Sequence, residues 1–512
     1  MAADKFVEYA ETYARQHGEI GTISLRHLQR LASGHGANGK SLGTLRPATV
    51  RLLEGIFGIS VEKLLEPPER VEEASQPATV PLSGGRSAQA GRFGAALDWL
   101  DRHSCWPPGM ARRTWLSLVE DIGGRGPTSW DYVGRSQVAR ALLDYYGDFP
   151  AGYRAYRCHD RAGGVEVATS VVTRADWVGL GCSLRPANEQ IRLALDDWAP
   201  PRELIREEAS QAAAARLAAI AALDAPLTDA PLYRLLEIAP RPRVIAGTVG
   251  LAHFIEYALT VDLLEGELVE ALATGQGRPG TLPLRATYLP DGASVLNLRG
   301  RLCVGGALAL CAVARPRDPF RGGADYALLV QERSSRVLNA VGRLAVIPKG
   351  FHQPLTDPRA DVQIGATLRR ELEEELFGRT DVDGTAGQQR AALPMHPSRL
   401  SEPMRWLDED PDRWRMECTA FGLNLVSGNY EFAGLIVIED EGFWPRFGGM
   451  VEANWEASGL RLYSSLDREL LGELVHDPAW SNEGLFAFLE GLRRLREIGG
   501  RRVDLPEFEV VA

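Results

Sequence analysis

A chain of 512 residues with a net charge of −11 is too long for one ordinary hydrophobic core, and its acidic balance excludes a general polyanion binder. With 45% hydrophobic and 24% charged residues it is a globular composition, and its apolar runs fall short of the roughly twenty residues a membrane helix needs. Six cysteines, at 105, 158, 182, 303, 311 and 418, include no CxxC pair, which disfavours a zinc site or disulfide frame and predicts reduced thiols. The start MAADKFVEYAE carries acids where a secretory signal needs basic and then apolar residues, so the expectation is a cytoplasmic protein with no membrane partner.

In chain order, residues 5–17 have the spacing of a short amphipathic helix. ISLRHLQRLASG then sets Leu25, Leu28, Leu31 and Ala32 on one helical stripe and Arg26, Gln29, Arg30 and Ser33 on the opposite one. Ser24 is a candidate N-cap and Gly34 a stop. A Gly- and Asn-rich loop leads to Arg46–Pro47, with proline at a first helical position, and to the helix PATVRLLEGIF. From Ile20 to Leu53 there are five Lys/Arg and no Asp or Glu, a local excess suited to phosphate contact. A solvated basic face on a small helical interaction module would have the same composition.

ISLRHLQRLASG followed by RPATVRLLEGIFGISVEKLL resembles the recognition and closing helices of lambda-repressor-like helix-turn-helix domains. The first helix of that motif is poorly matched by YARQHGEIGT. The resemblance implies an all-α domain at 1–66 that binds double-stranded DNA, with Arg26, Gln29 and Arg30 in the major groove and Lys40, Arg46 and Arg51 on phosphates. Such readers are commonly two-fold dimers, so a homodimer is a further expectation.

Residues 67–92 are rich in Pro, Ser, Ala and Gly and predict a flexible linker. From 93 to 289 the pattern reads as a mostly helical accessory domain of unknown role, with GAALDWLDRH, ARRTWLSLVEDI, SQVARALLDYYG and the Ala-rich run to Leu223 as helices. VEVATSVVTRADWVGL interrupts it as a β-like stretch, and AGTVGLAHFIEYALTVDLLEGELVEAL reads as one or two buried helices. Trp99, Trp106, Trp115, Tyr145 and Tyr146 are expected in the core.

Past residue 290 the periodicity changes. VGGALALCAVA reads as a buried strand or short helix; ADYALLVQERSS, VLNAVGRLAVIPKG, MECTAFGLNLVS and YEFAGLIVIED have strand character, and SSLDRELLGELV and NEGLFAFLEGLRRLREI have helical spacing. Between the strands ATLRRELEEELFG packs Glu371, Glu374 and Glu375 onto one side of a helix. Converging carboxylates repel unless a cation sits among them; the plain alternative is a solvated acidic face balanced by Arg369 and Arg370. Strands, a helix, more strands and terminal helices predict an α+β or α/β/α layer, so the whole chain is expected to be multidomain α+β.

Arg370, Glu371, Leu372, Glu374 and Glu375 match the R-E-U-x-E-E segment of the Nudix hydrolase box, and Gly350 takes the place of its first glycine, so residues 290–512 resemble that family. The resemblance implies an α/β/α sandwich in which Mg²⁺ or Mn²⁺, held by Glu371, Glu374 and Glu375, polarises a nucleoside diphosphate derivative for attack by water. It gives Arg370 a bracing role in the catalytic set and places Lys349, Gly350, His352 and Gln353 at the ligand. The loop is six residues longer than the box requires; the first box glutamate falls at Val362, and Phe377 stands at the late glycine. Asp357 or Asp361 could stand in for the missing acid. Two functions follow: a transcriptional regulator that senses a nucleotide-type ligand, or a Mg²⁺-dependent pyrophosphohydrolase with an accessory DNA-binding module. A scaffold with both modules reduced to packing is the third reading.

Overall fold

The structure, a computed structural model, describes residues 93–122, 133–160, 166–198, 205–222, 227–275, 282–319, 322–334, 342–379, 393–451 and 457–511, with Ala10, Thr49, Val50, Leu53 and Ile56 nearer the N-terminus. The chain divides into two compact units, Met1–Arg86 and Ser87–Ala512. Apart from those five residues, the expected helix-turn-helix domain lies outside the described residues, with Arg26, Gln29, Arg30, Lys40, Arg46 and Arg51, as does the 67–92 linker. The larger unit is mixed α/β.

Four helices of that unit form where apolar spacing predicts them: α1 (Gly94–His103), α2 (Met110–Ile122), α3 (Arg135–Tyr146) and α4 (Glu207–Ala222). Each buries residues three and four apart, such as Val138, Ala139, Leu142 and Tyr146 on α3. Trp115 is fully buried, and Trp99 and Tyr145 pack against the same core.

Residues 93–289 are nevertheless not mostly helical. They also carry six strands: β1 (Arg154–Asp160), β2 (Glu166–Thr173), β3 (Val178–Ser183), β4 (Glu189–Trp198), β5 (Pro231–Arg241) and β6 (Val244–His253). The run expected as buried helix from Ala246 is strand as far as His253, and its long helix, α5 (Leu263–Ala273), comes later. A continuous apolar run has no period that separates strand from helix, and Gly247, Thr248, Val249 and Gly250 are weak helix formers. Pairing decides it: β6 lies between β4, parallel, and β5, antiparallel.

A short helix, α6 (Pro283–Tyr288), leads to β7 (Gly305–Arg315), β8 (Asp325–Arg333), β9 (Leu344–Val346) and β10 (Lys349–Phe351). The glutamate-rich helix α7 (Ile364–Glu371) follows and continues as a π-helical turn, Leu372–Leu376. Then come β11 (Trp414–Asn424), β12 (Tyr430–Ile438), β13 (Ala457–Ser464), α8 (Arg468–His476), α9 (Asn482–Ile498) and β14 (Phe508–Val511).

One large sheet runs β13-β8-β7-β12-β11-β2-β1-β14, with β9 on β8, β10 on β7 and β3 on β11. Its β7–β12 pair is parallel. Both faces are covered, which is why β7 and β12 are buried throughout and, apart from Arg315 and Glu431, carry no charge. On one face Ala307, Ala309, Cys311 and Val313 share a core with Leu368, Leu372 and Leu376 of the glutamate-rich segment. On the other, Leu308, Leu310, Ala312 and Ala314 share a core with Leu485, Phe488, Leu492 and Leu495 of α9.

The expected boundary at 289/290 is not a boundary in this fold, because β1, β2 and β3 belong to the same sheet as β7–β12. Arg285 of α6 fastens the same junction. Fully buried, it donates to the carbonyls of Leu425 and Val426, both at 2.6 Å, to Leu264 O at 3.2 Å and to the Tyr146 hydroxyl at 3.1 Å.

Candidate functional site

The helix that carries the glutamates is started by a residue far away in sequence. Glu189, at the head of β4, accepts from the amides of Ile364 and, at 3.2 Å, of Gly365, meeting two donors that a helix start leaves open. Burial pushes the Glu189 carboxyl up to about 8, with the Gly365 hydrogen bond opposing. Ile364, Leu368, Leu372 and Leu376, four apart, hold the apolar side of the segment against the sheet.

The glutamates leave this segment in different directions. Glu371 is paired with the Arg370 guanidinium at 2.7 Å, and Arg370 also donates to Gln353 O at 3.1 Å and Phe351 O at 3.2 Å. Arg370 therefore ties the carboxylate to the loop after β10. Gly350 permits this approach: a Cβ there would overlap the Glu371 carboxyl group. Glu375 accepts the Lys349 amide at 2.6 Å. Glu373, outside the expected set, is fully buried, accepts the Ser401 amide at 2.9 Å and has Arg379 at 3.9 Å. Burial pushes its carboxyl up, against the Ser401 bonds and Arg379. Glu374 is half-buried.

Among the described residues no three His, Cys, Asp or Glu side chains gather as a metal ion would require. Of the carboxylates expected to hold Mg²⁺ or Mn²⁺, Glu371 pairs with Arg370, and Glu375 accepts from the amide of Lys349 at the start of β10. Asp361 is engaged as well: its Oδ2 accepts the amides of Leu355, Thr356 and Asp357 at 2.8–3.0 Å. Asp357 accepts the Arg359 amide at 2.9 Å, and Val362 is buried.

The residues expected at a ligand have other surroundings. His352 is buried, with Nε2 2.8 Å from Val362 O and Nδ1 2.9 Å from the Tyr430 hydroxyl. A carbonyl only accepts, so in the neutral ring Nε2 carries the proton, and the Tyr430 hydroxyl lies within donating distance of both Nδ1 and the Tyr233 carbonyl, the latter at 3.2 Å. Burial is the main force holding this imidazole down at about 4, so it is neutral near pH 7. An unfolded histidine titrates near 6.5. The contribution of His352 to stability is therefore complete above that pH and is lost as pH falls toward 4. Denaturant titrations from pH 7 to 4 are expected to show this loss, and His352→Gln to remove it; identical pH slopes would overturn the assignment.

Lys349 sends its ammonium to Glu483 at 2.6 Å. Glu483 lies in the first turn of α9 and also accepts from Asn424 at 3.3 Å. Burial raises the Glu483 carboxyl, but Lys349, together with hydrogen bonds from the Glu483 amide and Ser481, makes the net displacement downward. Glu431 of β12 is buried nearby, and burial followed by the charge of Glu483 pushes it up to about 8. Sequence spacing did not single out this cluster, although an acid inside the otherwise apolar YEFAGLIVI was a legible signal.

Gln353 faces a cavity of about 310 Å³ beside the first turns of α7. Its walls come from the β3–β4 connection, the enlarged loop, α7, Met395 and Met416 of β11. Glu189 and Leu184, contributed from the region expected to be a separate accessory domain, both line it.

No protein-family model matches this chain, and no curated protein matches it. Among the described residues no helix is long and apolar enough to cross a membrane.

Proposed function

We propose that the chain is a DNA-binding transcriptional regulator. In this reading a helix-turn-helix domain reads double-stranded DNA, and a Nudix-like module in the C-terminal half binds a nucleotide-type, diphosphate-containing ligand. The acid-free basic stretch from Ile20 to Leu53 supports the DNA-binding half. For the other half, the observation that favours sensing over turnover is the engagement of Glu375 with the start of β10 and of Glu371 with Arg370, which binds the loop after it. A ligand regulates only if it binds two states differently, and a coupling of ~1–3 kcal/mol gives about 5–150-fold control of DNA affinity.

The test is fluorescence anisotropy with a duplex selected from a random pool, run with and without a panel of nucleoside diphosphate compounds. At least one compound is expected to shift DNA affinity within that range; an unchanged affinity across the panel would sink the coupling. The alternative is a Mg²⁺-dependent hydrolase of nucleoside diphosphate derivatives, and it draws support from the π-helical turn at Leu372–Leu376, a feature frequent at functional sites. Under the regulator reading neither the wild type nor Glu374→Gln releases product from the panel with Mg²⁺. Turnover by the wild type that Glu374→Gln abolishes would establish the hydrolase instead.

A further inference from the structure

We infer that Cys182 of β3 and Cys418 of β11 are a redox modification site, a thiol pair that a peroxide converts reversibly to a disulfide. Both are free thiols, and they are direct partners in the antiparallel β3–β11 ladder. Opposed residues of such a ladder have Cα atoms about 4.5–5.5 Å apart and side chains on the same face. A disulfide spans Cα separations of roughly 4.4–6.8 Å, so the backbone already stands at bonding distance. Both side chains belong to the core that lies under α7. On β12 the residue opposite Cys418 is Gly434, where a Cβ would lie 3.3 Å from Leu368 of α7. Among the described residues no other two cysteines oppose each other in a ladder: Cys158 faces Val167 and Val510, and Cys311 faces Leu329 and Ile436.

The surroundings select the oxidant. Cys182 and Cys418 are 0% and 1% exposed. Burial is the main force pushing both thiols up, Cys182 to about 11 and Cys418 well above its ordinary value. Bulky reagents are thereby excluded and reaction is slow, which leaves an oxidant the size of water. Leu184 and Met416, two residues further along each strand and on the same face, line the cavity beside α7, and Leu184 N–H donates to Met416 O at 3.0 Å. The thiols thus lie directly behind the cavity wall.

Cys182 is the attacking thiol, because its upward displacement is the smaller and the connection that follows it borders the cavity. Its thiolate attacks one peroxide oxygen, the O–O bond breaks, and the departing hydroxide takes a proton and leaves as water. The Cys418 sulfur gives up its proton and attacks the sulfur of the resulting Cys182 sulfenic acid; the S–O bond breaks and a second water leaves. Two thiols and one peroxide give one disulfide and two waters, and an external thiol restores the pair by exchange. Transient, redox-responsive disulfides are the usual kind where thiols are otherwise kept reduced. The bond staples β3 to β11 beneath the start of α7, where Glu189 accepts from the amides of Ile364 and Gly365. None of this depends on DNA or on a diphosphate ligand.

The experiment treats the folded full chain with hydrogen peroxide and maps its cysteine peptides by mass spectrometry. Cys105→Ser is introduced first, to remove the exposed thiol. The main product expected is a Cys182–Cys418 cross-linked peptide, lighter by two hydrogen atoms than its two free halves and lost on treatment with dithiothreitol. Cys418→Ala is expected to stop at a Cys182 sulfenic acid, which dimedone traps when the sample is quenched in denaturant, whereas Cys182→Ala leaves Cys418 unmodified. Amide exchange across β3 is expected to slow about tenfold or more in the oxidised chain, as an added tether suppresses local opening. If either alanine variant fails to fold, the map of the chain with both thiols decides alone. Cys182 and Cys418 that stay unmodified until the chain is unfolded, or cross-links spread over the other cysteines, would overturn the inference.

Discussion

Replacing Lys349 by methionine is expected to cost about 3–5 kcal/mol of stability, the usual result of stranding one half of a buried ion pair. Its ammonium sits 2.6 Å from Glu483, and a second buried carboxyl, Glu431, lies close by. The sign of the pH dependence follows. With Lys349 present, the Glu483 carboxyl lies below its ordinary value; without it, burial, the largest influence, is opposed only by the hydrogen bonds from the Glu483 amide and Ser481, and the value moves upward. A raised carboxyl penalises the folded state increasingly as pH climbs above the unfolded value near 4.5. The variant should therefore be nearly as stable as the wild type at pH 4 and fall behind toward pH 7. Urea titrations at both pH values measure this, and Lys349→Met/Glu483→Gln is expected to recover much of the loss. A deficit below about 1 kcal/mol at pH 7 would mean that the pair is hydrated and contributes like a surface bridge.

The second large effect concerns DNA. Arg26→Ala/Arg30→Ala is expected to weaken binding to a selected duplex by about 2–6 kcal/mol, at ~1–3 per base contact. It should also relax sequence preference, whereas Lys40→Ala should weaken all sequences alike and flatten the salt dependence. Footprinting of the double variant at the wild-type site with unchanged affinity would remove the major-groove assignment. The roles of these residues follow from the resemblance of ISLRHLQRLASG to a recognition helix, so the experiment tests that resemblance directly.

Much of the large sheet was legible because β7, β8, β11 and β12 are long apolar runs with β-branched and aromatic residues. The terminal helices α8 and α9 were legible for the complementary reason, a 3.6-residue apolar period behind an Asp467 or Ser481 cap. β3 was harder. VGLGCS holds Gly179 and Gly181 at φ +64° and +51°, so it lacks the even alternation of a strand, and its backbone passes against the Arg493 and Arg494 side chains instead. At the candidate site the glutamate-rich helix could be read from its spacing, while the pairing of Arg370 with Glu371 was implied only by the family resemblance. That Glu189 would cap the helix from 175 residues away could not be read, because capping of this kind depends on tertiary placement and not on local spacing. The same holds for His352, whose burial is decided by Tyr430 and Val362 on either side.

The sheet that ignores the 289/290 boundary also sets the order in which this protein can be made. Strand β2 finds its partner at Leu423 and Asn424 of β11, and β1 is closed by β14, the last strand described. During synthesis β1 and β2 can pair with each other, but each must then wait, with an open edge, for strands hundreds of residues downstream. Emerging sheet edges of this kind are where nascent chains aggregate or recruit chaperones. A sheet stitched from β1 to β14 thus closes only after residues 508–511 have emerged from the ribosome, and a fragment beginning near residue 290 would leave β11 with the edge that β2 and β3 cover.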